Sequence, residues 1–208
     1  MAAAMALAIS VGACASAPLE LPEESLERAA TCTAVRTLEL RAGKAEEGPL
    51  SFAGFTEIVH FGMMHASEDA VRVDLERLAA VQRRAEDEVR SLDGENWLSL
   101  VEACNAAFPE TQKDPAPLLS DAFEAGMTCY AFGDFLARAS AANFPHEQRS
   151  LAAMAERALA AAQPVLRQRA RDEADARRIS EGYAARAFNA GRPTSLVGQC
   201  QRRFPSPG

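Results

Sequence analysis

Four cysteines, one His/Met cluster and one run of arginines are the residues of this chain whose types and spacing could do chemistry. Cys32 and Cys104 lie 72 residues apart, and Cys129 and Cys200 lie 71 apart. Structural zinc sites are built from close pairs such as Cys-x-x-Cys, so this wide spacing argues against a metal centre. In an oxidising compartment the default fate of such cysteines is a disulfide. The His60-x-x-Met63-Met64-His65 cluster carries soft thioether and imidazole groups that suit Cu(I). On a helix His60 and Met64 share a face one turn apart, but His65 lies about 100° further round. The four side chains therefore cannot converge without a second helix. His60 and Met64 remain a weak candidate pair for a copper-like site, against core methionines with incidental histidines.

Arg167, Arg169, Arg171, Arg177 and Arg178 alternate with Asp172, Glu173 and Asp175. One reading is a docking surface for an acidic partner or for anionic headgroups. The other is a solvated helix stitched by i,i+4 ion pairs, each worth a few tenths of a kcal/mol. Nothing in the chain builds a nucleophile. There is no Gly-x-Ser-x-Gly elbow and no Cys–His arrangement beyond the candidate disulfide cysteines. His146 stands alone beside Pro145, and Glu86, Asp87 and Glu88 belong to a charged helix face. No Gly-rich phosphate loop appears. The chain is expected to be no enzyme and to have no catalytic residue and no cofactor.

The elements that carry these residues are written twice. Ser99-Leu100-Val101-x-x-Cys104-x-x-x-Phe108-Pro109 recurs as Ser195-Leu196-Val197-x-x-Cys200-x-x-x-Phe204-Pro205. Thr31-Cys32-x-Ala34 recurs as Thr128-Cys129-x-Ala131. The fold class expected is all-α, a tandem duplication of a disulfide-closed four-helix module with about eight helices in total. Residues 18–112 form module 1 and residues 113–208 form module 2. Four cysteines allow three connectivities. The repeat favours Cys32–Cys104 and Cys129–Cys200, because only that pairing works within a single copy.

Aligned against each other, the copies mark their own helix boundaries. Pro49 and Pro145 end a first helix over 24–45 and 120–142. A second helix spans 52–66 and 147–162, where Met63 matches Leu159 as a core position. Ser67 reads as an N-cap, and Pro164 in the other copy as a first-turn residue. Together they predict a third helix over 68–92 and 164–188. Its stripe in copy one is Val71, Leu75, Leu78, Val81, Ala85 and Val89. A short fourth helix, 95–107 and 193–203, holds the second cysteine and ends at Phe-Pro. In an up-down-up-down bundle the start of helix one and the end of helix four meet at one end, as the disulfides require.

Residues 1–17 read as an export segment. Ala2 to Ala13 is uncharged and apolar, like the core of a signal peptide. Ala13-Cys14-Ala15 fits ordinary cleavage before Ser16. Val11-Gly12-Ala13-Cys14 instead resembles the lipobox of bacterial lipoproteins, which would lipidate Cys14. Either way the fifth cysteine leaves the pairing pool. No apolar run reaches the 18 residues of a spanning helix, so membrane contact is expected only through such an anchor.

The formal charge of -7 is unevenly divided. Residues 18–112 carry 9 basic and 19 acidic side chains, and residues 113–208 carry 13 and 10. The basic half is only weakly basic and has no interleaved aromatics, which excludes nucleic acid as a partner. The expected function is an exported bacterial cell-envelope protein, periplasmic or lipid-anchored, that acts as a non-enzymatic binding or scaffold module for a protein partner. The alternative is a periplasmic carrier of a small apolar ligand or metal.

Overall fold

The computed structural model describes residues 19–42, 50–92, 94 and 96–205. Among them there are eight α-helices and no strand. The helices are α1 (Ser25–Ala42), α2 (Phe52–Ala66), α3 (Leu75–Ser91), α4 (Val101–Ala107), α5 (Ala122–Ser140), α6 (Pro145–Arg169), α7 (Glu173–Phe188) and α8 (Pro193–Arg203). Short 3-10 segments, Asn96–Leu100 and Pro109–Gln112, flank α4. The sequence expectation of all-α architecture and about eight helices holds.

The cysteines pair as the repeat predicts. Cys32 bonds Cys104 and Cys129 bonds Cys200, each with Cα atoms 5.4 Å apart. Both second cysteines lie one turn before a helix end of the same form. The N–H of Phe108 donates to Cys104 and that of Phe204 to Cys200, and the following proline cannot continue the helix.

Three boundaries differ from the sequence reading, one of them the fourth helix of the first half, which opens as the 3-10 segment Asn96–Leu100 and is α-helical only from Val101. Ser67 does not open a helix; it closes α2. Its Oγ donates to the Met63 carbonyl at 2.6 Å and its N–H to the Met64 carbonyl. The next helix starts only at Leu75, where the Asp74 carboxylate accepts from the amides of Glu76 and Arg77. In the other half, Pro164 opens nothing and sits inside α6. The helix continues to Arg169, and Asp172 caps α7 by accepting from Asp175. Val71 and Leu75 consequently miss the inner stripe expected of them and are 58% and 63% exposed. The Glu46–Pro49 break and Cys14 lie outside the described residues.

The core is made of small and aliphatic side chains with a few aromatics. Around the first disulfide, Val35, Phe61, Leu92, Trp97 and Leu100 are buried together. The largest cluster gathers α5 to α8 around Met127, Phe132, Leu136, Met154 and Phe188, and it also includes Val59 and Met63 of α2. Thus α2 serves two neighbourhoods, with α1 and α3 against part of its surface and α7 and α8 against another. Its sequence permits this, because residues 59–66 are buried without a break. A helix that is buried all round is expected to lack the usual polar face.

Polar pins fix α2 to the second half. His60 Nε2 donates to the Phe188 carbonyl at 2.7 Å. Asn189 Nδ2 donates to Ser67, to the carbonyl at 3.2 Å and to Oγ at 3.0 Å. The Phe144 ring meets Phe52 edge-on at 5.7 Å and Phe55 at a tilt at 5.2 Å. The connection before α5 is strapped to α8 by Arg192, whose N–H donates to the Lys113 carbonyl and whose guanidinium pairs with Asp114 at 2.6 Å.

Candidate functional site

The strongest candidate site is a cleft formed because α5 and α6 meet closely while α7 stands away from α6. The close approach has a sequence cause. Gly126 and Gly133 are seven residues apart on α5, and they face Ala155, Ala158 and Ala162 of α6. With no Cβ at Gly126, its Cα faces the Ala158 carbonyl directly. Helix α7 is drawn the other way. Tyr183 donates from its hydroxyl to Glu124 of α5 at 2.7 Å and sets its ring against Phe123. Gly182 lets the Val71 carbonyl of the α2–α3 connection approach, and Phe188 holds His60. Contact between α6 and α7 is slight by comparison.

The resulting cleft has a volume of about 770 Å³. Its apolar floor comes from Tyr130 and Phe135 of α5 and Leu159 and Leu166 of α6, with Ala176 and Ala184 of α7. Val73 and Leu75, from the first half of the chain, complete one wall. The rim carries Arg167 on α6 and Glu173, Arg177 and Glu181 on α7. None of these four has an ion-pair partner among the described residues. Arg138 and Asp134 also line the cleft but pair with each other at 2.6 Å.

The five arginines singled out by sequence divide into two groups. No residue of 166–178 is buried. Arg167 and Arg177 reach the cleft. Arg169 instead turns to α5, with Glu124 at 3.7 Å and its guanidinium carbon 4.2 Å above the Phe123 ring. Arg171 and Arg178 both pair with Asp175, whose carboxyl is held below the usual range by hydrogen bonds from Arg171 first and Arg178 next. The Tyr183 phenol is pushed up to about 12, by burial first and then by the Glu124 carboxylate that accepts its hydrogen bond.

The residues of the His/Met cluster are engaged in packing and in a backbone hydrogen bond. His60 is 1% exposed and its Nε2 is engaged by a backbone carbonyl. Met63 and Met64 are buried as core residues. Among the described residues no group of three or more His, Cys, Asp or Glu is arranged around a common point. Burial holds the His60 pKa below the ordinary histidine value, opposed by the Phe188 hydrogen bond and by Glu110.

One constellation was missed by sequence. Ser25 Oγ, His65 and Glu68 meet where α1 begins and α2 ends. Ser25 Oγ lies 2.9 Å and Glu68 Oε1 3.3 Å from the same ring atom, His65 Nδ1, and Ser25 also donates to Glu68. A nucleophile–base–acid relay uses the two ring nitrogens separately, one toward the serine and one toward the acid. Both partners share one nitrogen here, so the group pins two helices and does not build a triad. The His65–Glu68 spacing was the signal available; Ser25, 40 residues away, gave none.

No family model, no curated protein and no solved structure matches this chain. The two disulfides point to a non-cytoplasmic compartment. No helix among the described residues is long and apolar enough to cross a membrane.

Proposed function

We propose that this chain is an exported cell-envelope protein, descended from duplication of a disulfide-closed four-helix module, that binds a protein partner in the cleft between α5, α6 and α7 and performs no chemistry of its own. The observation that carries the reading is the cleft itself. An apolar floor lies open beside four rim charges that no internal partner satisfies. Open apolar surface of this kind marks an interaction site more often than it marks idle surface. Export is supported by the disulfides and by the apolar stretch Ala2 to Ala13. Either Ser16 or a lipidated Cys14 would begin the mature chain. Duplication is supported by the recurring Cys and Phe-Pro segments and by the matching Cys–Cys separations of 72 and 71 residues.

Photocrosslinking in the native envelope tests this. A photoreactive residue at Ala176, in the cleft, should yield a discrete protein adduct, whereas one at exposed Ser99 should not. No adduct from Ala176, or equal adducts from both positions, refutes the cleft as a binding site. A carrier of a small apolar ligand is the second reading. It is favoured by the cleft volume of about 770 Å³, which falls in the range of small-molecule sites.

A further inference from the structure

Position 159 on α6 reveals what shape the cleft is built to receive. In the aligned repeat Leu159 matches Met63 of α2. Met63 is fully buried in the cluster formed with the second half, on the helix against which α7 and α8 pack. Leu159 has no such cover and lines the cleft. The surface that α2 covers with helices is left open on α6.

The rim has a helical period of its own. Glu173, Arg177 and Glu181 stand at i, i+4 and i+8 on α7, so one turn separates each charge from the next and the signs alternate. Arg167 faces them from α6. None of the four has an ion-pair partner among the described residues. An apolar floor flanked by charges at one-turn intervals is the pattern by which one helix selects another.

Resting on the cleft as the binding site, we infer that its occupant is an amphipathic helix of another protein. That helix carries apolar residues at i, i+3 or i+4, and i+7. Its flank toward α7 bears basic, acidic and basic residues one turn apart, opposite Glu173, Arg177 and Glu181. The alternating sign sets register, because a shift by one turn places like charges together.

Two peptides test this with the purified full chain, its disulfides intact, by fluorescence anisotropy. Both are Leu/Ala amphipathic helices of about 18 residues, long enough to be helical on binding. One is flanked by Lys, Glu, Lys at one-turn intervals and the other by Glu, Lys, Glu. The first should bind about tenfold more tightly, the difference expected when several exposed pairs change from attraction to repulsion. The variant R177E/E181R should reverse the order. R177A/E181A, which removes these charges without inverting them, should shrink the preference severalfold. Equal affinity of the two peptides for the unaltered chain overturns the inference, as does a preference that survives R177E/E181R. Binding that a central proline in the peptide leaves unchanged also overturns it. A concentration-dependent dimer of the chain dissolved by R177E/E181R would give the cleft to a second copy and overturn it too. If the Ala176 crosslink persists while the peptides fail to discriminate, the cleft remains a binding site and only the helical occupant falls.

Discussion

Gly126→Ala should destabilise the protein, and Gly133→Ala should do so far less, although both add one methyl to the same helix face. A Cβ on Gly126 would lie 2.7 Å from the Ala158 carbonyl oxygen and 2.9 Å from Ala162 Cβ. These are backbone and near-backbone atoms that cannot rotate away. Relief requires α5 and α6 to part by roughly 0.7 Å, a gap that forfeits a quarter to a half of each contact's dispersion energy along the seam. Overpacking of this kind costs about 1–3 kcal/mol. Replacing a helical glycine by alanine returns about 1 kcal/mol of propensity. Because the nearest atom is backbone that cannot yield, the overpacking cost belongs in the upper part of its range, about 2–3 kcal/mol. The net expectation for Gly126→Ala is a loss of about 1–2 kcal/mol, or roughly 2–8 °C in Tm for a chain of this size. At Gly133 the nearest atom is Met154 Cε, the end of a flexible side chain, followed by Ala155 Cβ at 3.4 Å. Methionine can change rotamer, so the propensity gain nearly cancels the strain and Tm should move by no more than a degree or two. Thermal melts followed by circular dichroism, without reductant, read both variants. Equal Tm values for the two, or a Gly126→Ala protein as stable as the unaltered chain, would refute the account of the α5–α6 seam.

Three further outcomes are expected. R167E/R177E should leave Tm within about two degrees, since both side chains are exposed and unpaired, while R169E should lower it by losing the Phe123 cation–π contact and setting a carboxylate beside Glu124; the reverse ranking in the same melts would refute the assignment of the structural contact to Arg169. His60 has a folded pKa below its unfolded value, so the unfolded chain binds its proton first and stability falls as pH drops below about 6.5, at up to about 1.4 kcal/mol per pH unit; urea titrations across pH 5–7.5 should show a shallower slope for His60→Gln, and an identical slope would remove His60 from the pH response. Cys14→Ser should release the protein from membranes if Cys14 is lipidated, and a mature terminus at Ser16 in the unaltered protein would instead establish ordinary secretion.

What the sequence made legible follows from where the decisive contacts lie. The disulfides could be read because each pair recurs at one spacing. Helix α8 begins and ends where expected, since the Pro193 start and the Phe204-Pro205 end are local signals, and α2 also keeps its expected bounds. Ser67 misled because a serine can bond forward, as an N-cap, or backward to residue i−4. Here its hydroxyl donates to Met63, and the helix ends instead of beginning. Pro164 misled because its side chain is exposed on α6, where the helix continues past the lost hydrogen bond. The exposure of 166–178 was legible from its charge density. Which arginines face the cleft was not, because α5 supplies the partners of Arg169. The cleft itself depends on contacts across 111 to 128 positions, Val71 with Gly182 and His60 with Phe188, and no local pattern announces those.

The same long-range contacts explain why the two halves look alike in sequence and differ in what they expose. In the first half, α3 lies on both α1 and α2, and Gly62 lets the Leu78 side chain come close to the α2 backbone. In the second half Ala158 stands where Gly62 stands in the first, and α7 packs on α5 and α2 with little contact to α6. Helix α7 is therefore shared, and the α2–α3 connection and the first residue of α3 contribute Val73 and Leu75 to the cleft wall. A cleft assembled this way needs both halves in place. Its rim charges belong to the second half and part of its apolar wall to the first. Loosening the α2–α7 contact, by removing the His60 hydrogen bond or crowding Gly182, should then open or collapse the cleft while both disulfides stay intact. The site depends on the seam between the halves more than on either half alone.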